Sequence, residues 1–215
     1  MSSFQYHSER SSSLQQQFYS QAQQNDASRF GMWIYLVMEW LVFAALIIAY
    51  LVMRHLYPHL FALASAKLDI SYGVMTTLLL FSSSLTISFA VTAASSDKQR
   101  MILLNLTLTF ILGLGYLIVK YYEFSHIKVI AVQPLNTSSN AFVHQDIFFN
   151  FFLILTSLHA LFLLVGLLAV FWIYIKAQKK TYHSQYYNPV ENVGLLWHLS
   201  TFIWLFLFPL LYLMK

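Results

Sequence analysis

The 215-residue chain contains no cysteine, four prolines and six glycines, and charged residues make up only 9% of it. Without cysteine there is no disulfide, no thiolate metal site and no covalent haem attachment motif. A charged share far below the roughly 25% of an ordinary domain excludes a water-soluble globule of usual composition. The few glycines and prolines fall mostly near the ends of apolar runs, at Gly31, Pro58, Gly73, Pro134, Pro189 and Gly194, so the runs read as continuous helices. That continuity argues against the broken mid-membrane helices and repeated halves of many secondary transporters. Residues 1–30, rich in Ser and Gln, have neither the basic start nor the apolar centre of a secretory signal. They read as a polar cytoplasmic tail, with helical character around 14–22.

Hydrophobic residues, by contrast, make up 59% of the chain. They concentrate in five runs, 31–53, 72–94, 101–122, 147–175 and 193–214. At about 1.5 Å per residue each run covers the roughly 30 Å hydrocarbon layer. The pattern predicts an all-α integral membrane domain over 31–215 with five transmembrane helices. Basic residues near the helix ends set the orientation. Arg10, Arg29, Lys98, Arg100, Lys176, Lys179 and Lys180 lie on the amino-terminal side; Arg54, Lys67, Lys120, Lys128 and Lys215 lie on the other. The expected topology has the amino terminus inside and the carboxyl terminus outside. The net charge of +4 is then topological, and no basic run points to nucleic acid. The one long connection, 123–146, is long enough to cap the outer face or touch a neighbour.

Glu39 is the only charged residue within the first run. A charge at that depth costs about 2.5–3.5 kcal/mol on insertion scales, so it is expected to face a protein interior. Of eight histidines, His7, His126, His144 and His183 fall in tails or connections, and Pro58 interrupts the His55/His59 spacing. His159 and His198 alone lie within apolar runs. By helical rise, Glu39 sits about 12 Å, His198 about 8 Å and His159 about 24 Å from the inner ends of their helices. The two histidines are therefore mismatched in depth for a haem clamp. Glu39 is expected to pair with His198, with His159 as second candidate, which makes Glu39, His159 and His198 the buried polar contacts.

Thr77, Ser84, Ser88 and Ser95 fall on one stripe of the second helix, a face that lets another helix approach and hydrogen bond. Gly113 in the third run fits close packing. Lys120, Glu123 and His126 follow one another at i, i+3, flanked by Tyr116, Tyr121 and Tyr122. They read as an interfacial charge cluster, or as a contact for a lipid headgroup or partner subunit.

These segments together resemble subunit III of the haem-copper oxidases over 29–215. FGMWIYLVMEWLVFAALIIAY is similar to the family helix in which an acid follows a WIF or WIY stretch, with Glu39 at the acid position. TTLLLFSSSLT resembles the second helix of the five-helix, quinol-oxidase form. GLGYLIVKYYEF matches a family pattern through Gly113, Tyr116, Lys120, Glu123 and Phe124. LHALFLLVG and WHLSTFIWLFLFPLLYL resemble the last two helices through His159, Gly166, Trp197, His198, Trp204 and Tyr212. The chain departs from the family at Phe162, where a second His is common, at Thr201, where Asp often follows the WH pair, and at Lys120, usually Gln or Glu. Lys at that place is also similar to subunit-III-like proteins associated with nitric oxide reductases.

The resemblance implies a multi-pass subunit of the bacterial inner membrane with no haem or copper of its own and no active site. Haem and copper are expected in the catalytic subunit I, with subunit II and membrane phospholipids as further partners and phospholipid bound in clefts between helices. Trp197 joins Lys120, Glu123, His126 and Tyr116 as a candidate lipid or partner contact. The implied role is to stabilise the catalytic subunit and support oxygen reduction and proton pumping. The alternatives are an accessory protein of a nitric oxide reductase and a free-standing haem-binding or proton-conducting protein.

Overall fold

The structure, a computed structural model, describes residues 18–131, 140–184 and 186–214, with the side chains of 21, 128–131 and 140–146 outside that description. His7 therefore lies outside the described residues, as does Leu14 in the tail, and of His144 only the backbone, which belongs to α5, is described.

Among the described residues six helices follow one another: α1 (Gln21–Leu56), α2 (Pro58–Ser65), α3 (Ile70–Ser95), α4 (Gln99–Ala131), α5 (Asn140–Gln178) and α6 (Asn188–Phe208). A π-helical turn over Pro209–Leu213 continues α6. Five spans among these residues are long and apolar enough to cross a membrane: Ala22–Leu56, Ile70–Ser95, Gln99–Ile127, Ile147–Gln178 and Asn188–Leu213. Among the described residues the only extended pairing is an isolated bridge between His183 and Tyr186.

Local chemistry sets the helix ends. Ser20 caps α1 by accepting from the Gln23 backbone N–H at 3.2 Å, while the Gln23 side chain accepts from the Tyr19 N–H at 3.0 Å. This S-x-x-Q cap is a close variant of the capping box. It starts the helix ten residues before the apolar run at 31, inside the segment read as a tail. Pro58 cannot continue α1 because it has no N–H, and it opens the short α2 instead. Asp69 caps α3 by accepting from the Ser71 N–H at 2.9 Å. At the other end of α3, Asp97 turns the chain through a left-handed backbone, φ 55°. The connection expected over 123–146 is largely helical, because α4 runs on to Ala131 and α5 begins at Asn140.

α3, α4, α5 and α6 close a four-helix core in which α3 packs most extensively on α4, and α6 on α3 and α5. α1 docks on α6, and α2 lies against α5. α6 is accordingly the most buried span and α1 the least. Leu, Ile, Val and Phe side chains remain exposed along the outer faces, including Val37, Leu41, Leu78, Leu85 and Phe89. In a bilayer those faces meet lipid at no solvation cost, so core burial is not what separates their two sides. The helices instead approach through small residues. A Cβ on Gly113 would stand 2.7 Å from the Trp197 ring and 2.8 Å from Leu167, and one on Gly73 would stand 2.6 Å from Phe208.

Candidate functional site

α6 presents ring N–H donors to the hydroxyls of α3. Trp204 Nε1 donates to Thr77 Oγ1 at 3.0 Å and Trp197 Nε1 to Ser83 Oγ at 2.9 Å. His198 places Nδ1 2.7 Å from Ser84 Oγ and Nε2 3.1 Å from Ser88 Oγ. Ser88 Oγ also donates to the Ser84 carbonyl, leaving its lone pair to accept from His198 Nε2–H; Ser84 Oγ then donates to Nδ1. Thr77, Ser84 and Ser88 of the anticipated stripe thus face α6. Ser95 bonds to the Thr92 carbonyl of its own helix, and Ser83, beside the stripe, takes the Trp197 donor.

With both imidazole nitrogens engaged on α3, His198 is not the partner of Glu39, which corrects the pairing expected from depth. Glu39 Oε1 accepts from the Ser200 hydroxyl at 3.4 Å, and its Oε2 is buried without a partner among the described residues. The reason is rotational. Ser200 lies about 3 Å along α6 from His198, but two residues turn the helix by about 200°, so the two side chains point to opposite faces. His159, the second candidate, meets the same residue by another atom: its Nε2 donates to the Ser200 carbonyl at 2.9 Å, and its Nδ1 accepts from the Tyr116 hydroxyl at 2.9 Å. Ser200 therefore joins Glu39 of α1 to His159 of α5.

A second cluster adjoins the first across the Trp204 ring. Lys120 Nζ donates to Glu123 Oε2 at 2.6 Å and to the Tyr212 hydroxyl at 3.1 Å, and Tyr212 in turn donates to Glu123 Oε1. The ammonium sits 4.1 Å from the Trp204 ring centroid. Lys120 and Glu123 are only 1% and 2% exposed, which places their side chains inside the bundle. This differs from the lipid or partner contact expected of them. Tyr116 and Trp197 are buried with them. His126, the third member by spacing, is exposed, with its ring 6.3 Å from that of Tyr72. Tyr212 is the residue that sequence spacing could not supply, since it lies on the π turn of the last span.

Polar contacts also fasten both ends of the bundle. At the amino-terminal end Arg29 pairs with Glu191 at 3.0 Å and donates to Asn188 Oδ1 at 3.1 Å. Nearby, Asp97 Oδ1 accepts from the Ser184 N–H at 2.6 Å, and Gln99 donates to the Ala177 carbonyl, so the α3–α4 and α5–α6 connections are joined. That N–H holds the Asp97 carboxyl below its usual range. At the far end, Arg54 donates to the Met214 carbonyl at 2.8 Å, and Tyr50 to the Leu210 carbonyl at 3.3 Å. These donors occupy carbonyls at the end of the last span.

Four of the five spanning helices contribute to the two buried clusters: α1 through Glu39, α4 through Tyr116, Lys120 and Glu123, α5 through His159, and α6 with its π turn through Ser200, Trp204 and Tyr212. Their polar atoms bond chiefly to one another. No three or more His, Asp or Glu side chains gather as a metal site among the described residues.

Fold and site together define a multi-pass helical membrane protein whose buried polar groups tie helix to helix. The description "Cytochrome c oxidase subunit III" belongs to the family model that matches residues 11–215. The chain belongs to the cytochrome c oxidase subunit III family. Among its relatives, the cytochrome bo(3) ubiquinol oxidase subunit 3 of Buchnera aphidicola subsp. Acyrthosiphon pisum is 28% identical over 185 residues, covering 86% of this chain and 85% of that one. A probable quinol oxidase subunit 3 of Staphylococcus aureus strain USA300 is 22% identical over 193 residues, covering 90% and 92%.

Proposed function

We propose that the chain is the non-catalytic third subunit of a bacterial haem-copper quinol oxidase, which stabilises the catalytic subunit and supports oxygen reduction coupled to proton pumping. The observation that carries this reading is the family match across 11–215, with relatives named as quinol oxidase subunits over most of their length. The internal use of Glu39, His159, Lys120 and Glu123 supports it, because these groups are buried and bond to neighbouring helices or to one another.

In this reading haem and copper belong to subunit I, with subunit II and membrane phospholipids as the other partners. The chain lies in the inner membrane with its amino terminus inside, as the basic residues of the 96–100 and 176–180 connections favour. Lipid fills grooves between its helices. Purification through a tag on this chain in mild detergent tests the proposal. Recovery of haem, copper and quinol-dependent oxygen reduction is the expected result. Nitric oxide reduction with non-haem iron, or haem bound to this chain alone, would overturn it.

A further inference from the structure

A cavity of about 520 Å³ opens between the first turns of α1, the last turns of α5 and the start of α6. Its size lies within the roughly 300–1,000 Å³ of small-molecule sites, and its lining has their character, apolar and aromatic with a few polar groups. Phe18, Trp172 and Tyr186 supply three aromatic side chains, and Met32 and Val193 carry the wall into the apolar runs. Asn192, only 6% exposed, donates through Nδ2 to Ser28 Oγ at 2.8 Å, while its Oδ1 is buried with no partner among the described residues. Lys176 stands one residue beyond the apolar run of α5, its ammonium 4.0 Å from the Trp172 ring centroid and without an ion pair among the described residues. No side chain described along the lining is acidic, and the acid of α6, Glu191, is paired with Arg29.

An occupant must bring an N–H or O–H donor to Asn192 Oδ1, because a buried carbonyl oxygen is costly to leave unpaired. It must offer an acceptor to the Lys176 ammonium, which carries donors only. A flat ring suits the aromatic walls, and an apolar tail suits the side that runs into the membrane. We infer that the cavity binds a membrane quinol by its headgroup: one ring hydroxyl donates to Asn192 Oδ1, another ring oxygen accepts from Lys176 Nζ, and the tail leaves past Met32 and Val193. The oxidised quinone has only acceptor oxygens, so it can meet Lys176 but leaves Asn192 Oδ1 unpaired, and the site therefore selects the reduced form. It holds the quinol and takes no part in its oxidation. The inference rests on the reading above that the complex consumes quinol, and it adds a place on this chain that retains that substrate in its reduced state.

The full chain, purified in mild detergent with whatever subunits accompany it, tests this. Decylubiquinol bearing a diazirine at the end of its tail is added under argon, and after illumination the label on this chain is mapped by mass spectrometry; decylubiquinone with the same tail is run beside it. The expected result is labelling around the cavity, about tenfold stronger for the quinol than for the quinone, the worth of one hydrogen bond at a buried acceptor. Unlabelled decylubiquinol should suppress it. Asn192→Leu should remove the preference for the quinol, and Lys176→Met should weaken both forms. Because Asn192→Leu also loses the bond to Ser28, Asn192→Asp is made as well: its carboxylate can only accept, and it should keep the preference. Equal labelling by the two forms, stronger labelling by the quinone, a preference lost in Asn192→Asp, or a label displaced by phosphatidylethanolamine and not by decylubiquinol overturns the quinol site. Quinol-dependent oxygen reduction by the same preparation is measured separately. Its presence without a label on this chain overturns the site and leaves the proposed function standing, whereas its absence overturns the proposed function.

Discussion

Lys120 and Glu123, one turn apart on α4, form an ion pair almost wholly removed from solvent, 2.6 Å between Nζ and Oε2, with Tyr212 closing the third side. Removing one member of such a pair strands the other charge and costs about 3–5 kcal/mol, whereas replacing both can be nearly neutral. Lys120→Met and Glu123→Leu should each lower thermal stability in detergent markedly. The double variant should recover most of that loss. Recovery is read as the melting temperature of the double variant against Glu123→Leu, and a double variant no better than either single one would show that the pair does not act as a unit.

Glu39 should tolerate more than its burial suggests. Among the described residues its one hydrogen bond is the long contact to Ser200, and its second oxygen has no partner. Both imidazoles that sequence depth offered as partners are engaged elsewhere, so an apolar replacement strands no histidine. Glu39→Gln and Glu39→Leu are expected to reach equal yields of folded protein, and Ser200→Ala to cost about 1 kcal/mol or less. Yield after size-exclusion chromatography checks this; a selective collapse of Glu39→Leu would point to a partner at Oε2.

Gly113 and Gly31 make a contrasting pair. A Cβ at Gly113 meets the rigid Trp197 ring at 2.7 Å, so Gly113→Ala should destabilise by about 1–3 kcal/mol through overpacking. Nothing lies within 4 Å of a Cβ at Gly31, where Gly31→Ala should be neutral or stabilising by about 0.5–1 kcal/mol through helix propensity. Melting temperatures of the two variants side by side test the difference.

Asp97 gives the fold an acid-sensitive latch. The Ser184 N–H lowers its pKa from the ordinary value of 3.8. A depressed folded pKa means that the contribution is fully present above the unfolded value and is lost as the pH falls through the folded one. Melting temperatures recorded from pH 6 downward should therefore fall more steeply below about pH 4 for the native chain than for Asp97→Asn. Asn also tolerates the left-handed backbone at this position, so the variant isolates the charge. Parallel acid limbs would remove Asp97 from the account.

The five spans were legible because a membrane helix needs only length and apolarity, and both can be read from a single run. Their true starts were less so. α1 begins at Gln21 and α6 at Asn188, where polar turns continue a helix beyond the apolar stretch, although the S-x-x-Q sequence at Ser20 to Gln23 was a visible signal for the first. Depth brought Glu39 to the right region of α6, but depth says nothing about rotation, and the face belongs to Ser200. Ser200 could have been sought at three residues from Trp197 and four from Trp204, on the face that those two large rings share. The Lys120–Glu123 pair was legible as spacing. Its burial was not, because that depends on Tyr212 and Trp204 from a distant span.

The α3–α6 seam has a consequence for how the chain is made. The ring nitrogens of Trp197, His198 and Trp204 engage four separate hydroxyls, so sliding α6 by a single residue would misalign all of them together. α6 follows its partners in the chain, and during synthesis the earlier helices stand in the bilayer with a notch at Gly113 and a carboxyl group on α1 still unmatched. The last span to be made therefore fills the Gly113 notch and sets the register of the whole seam in one step.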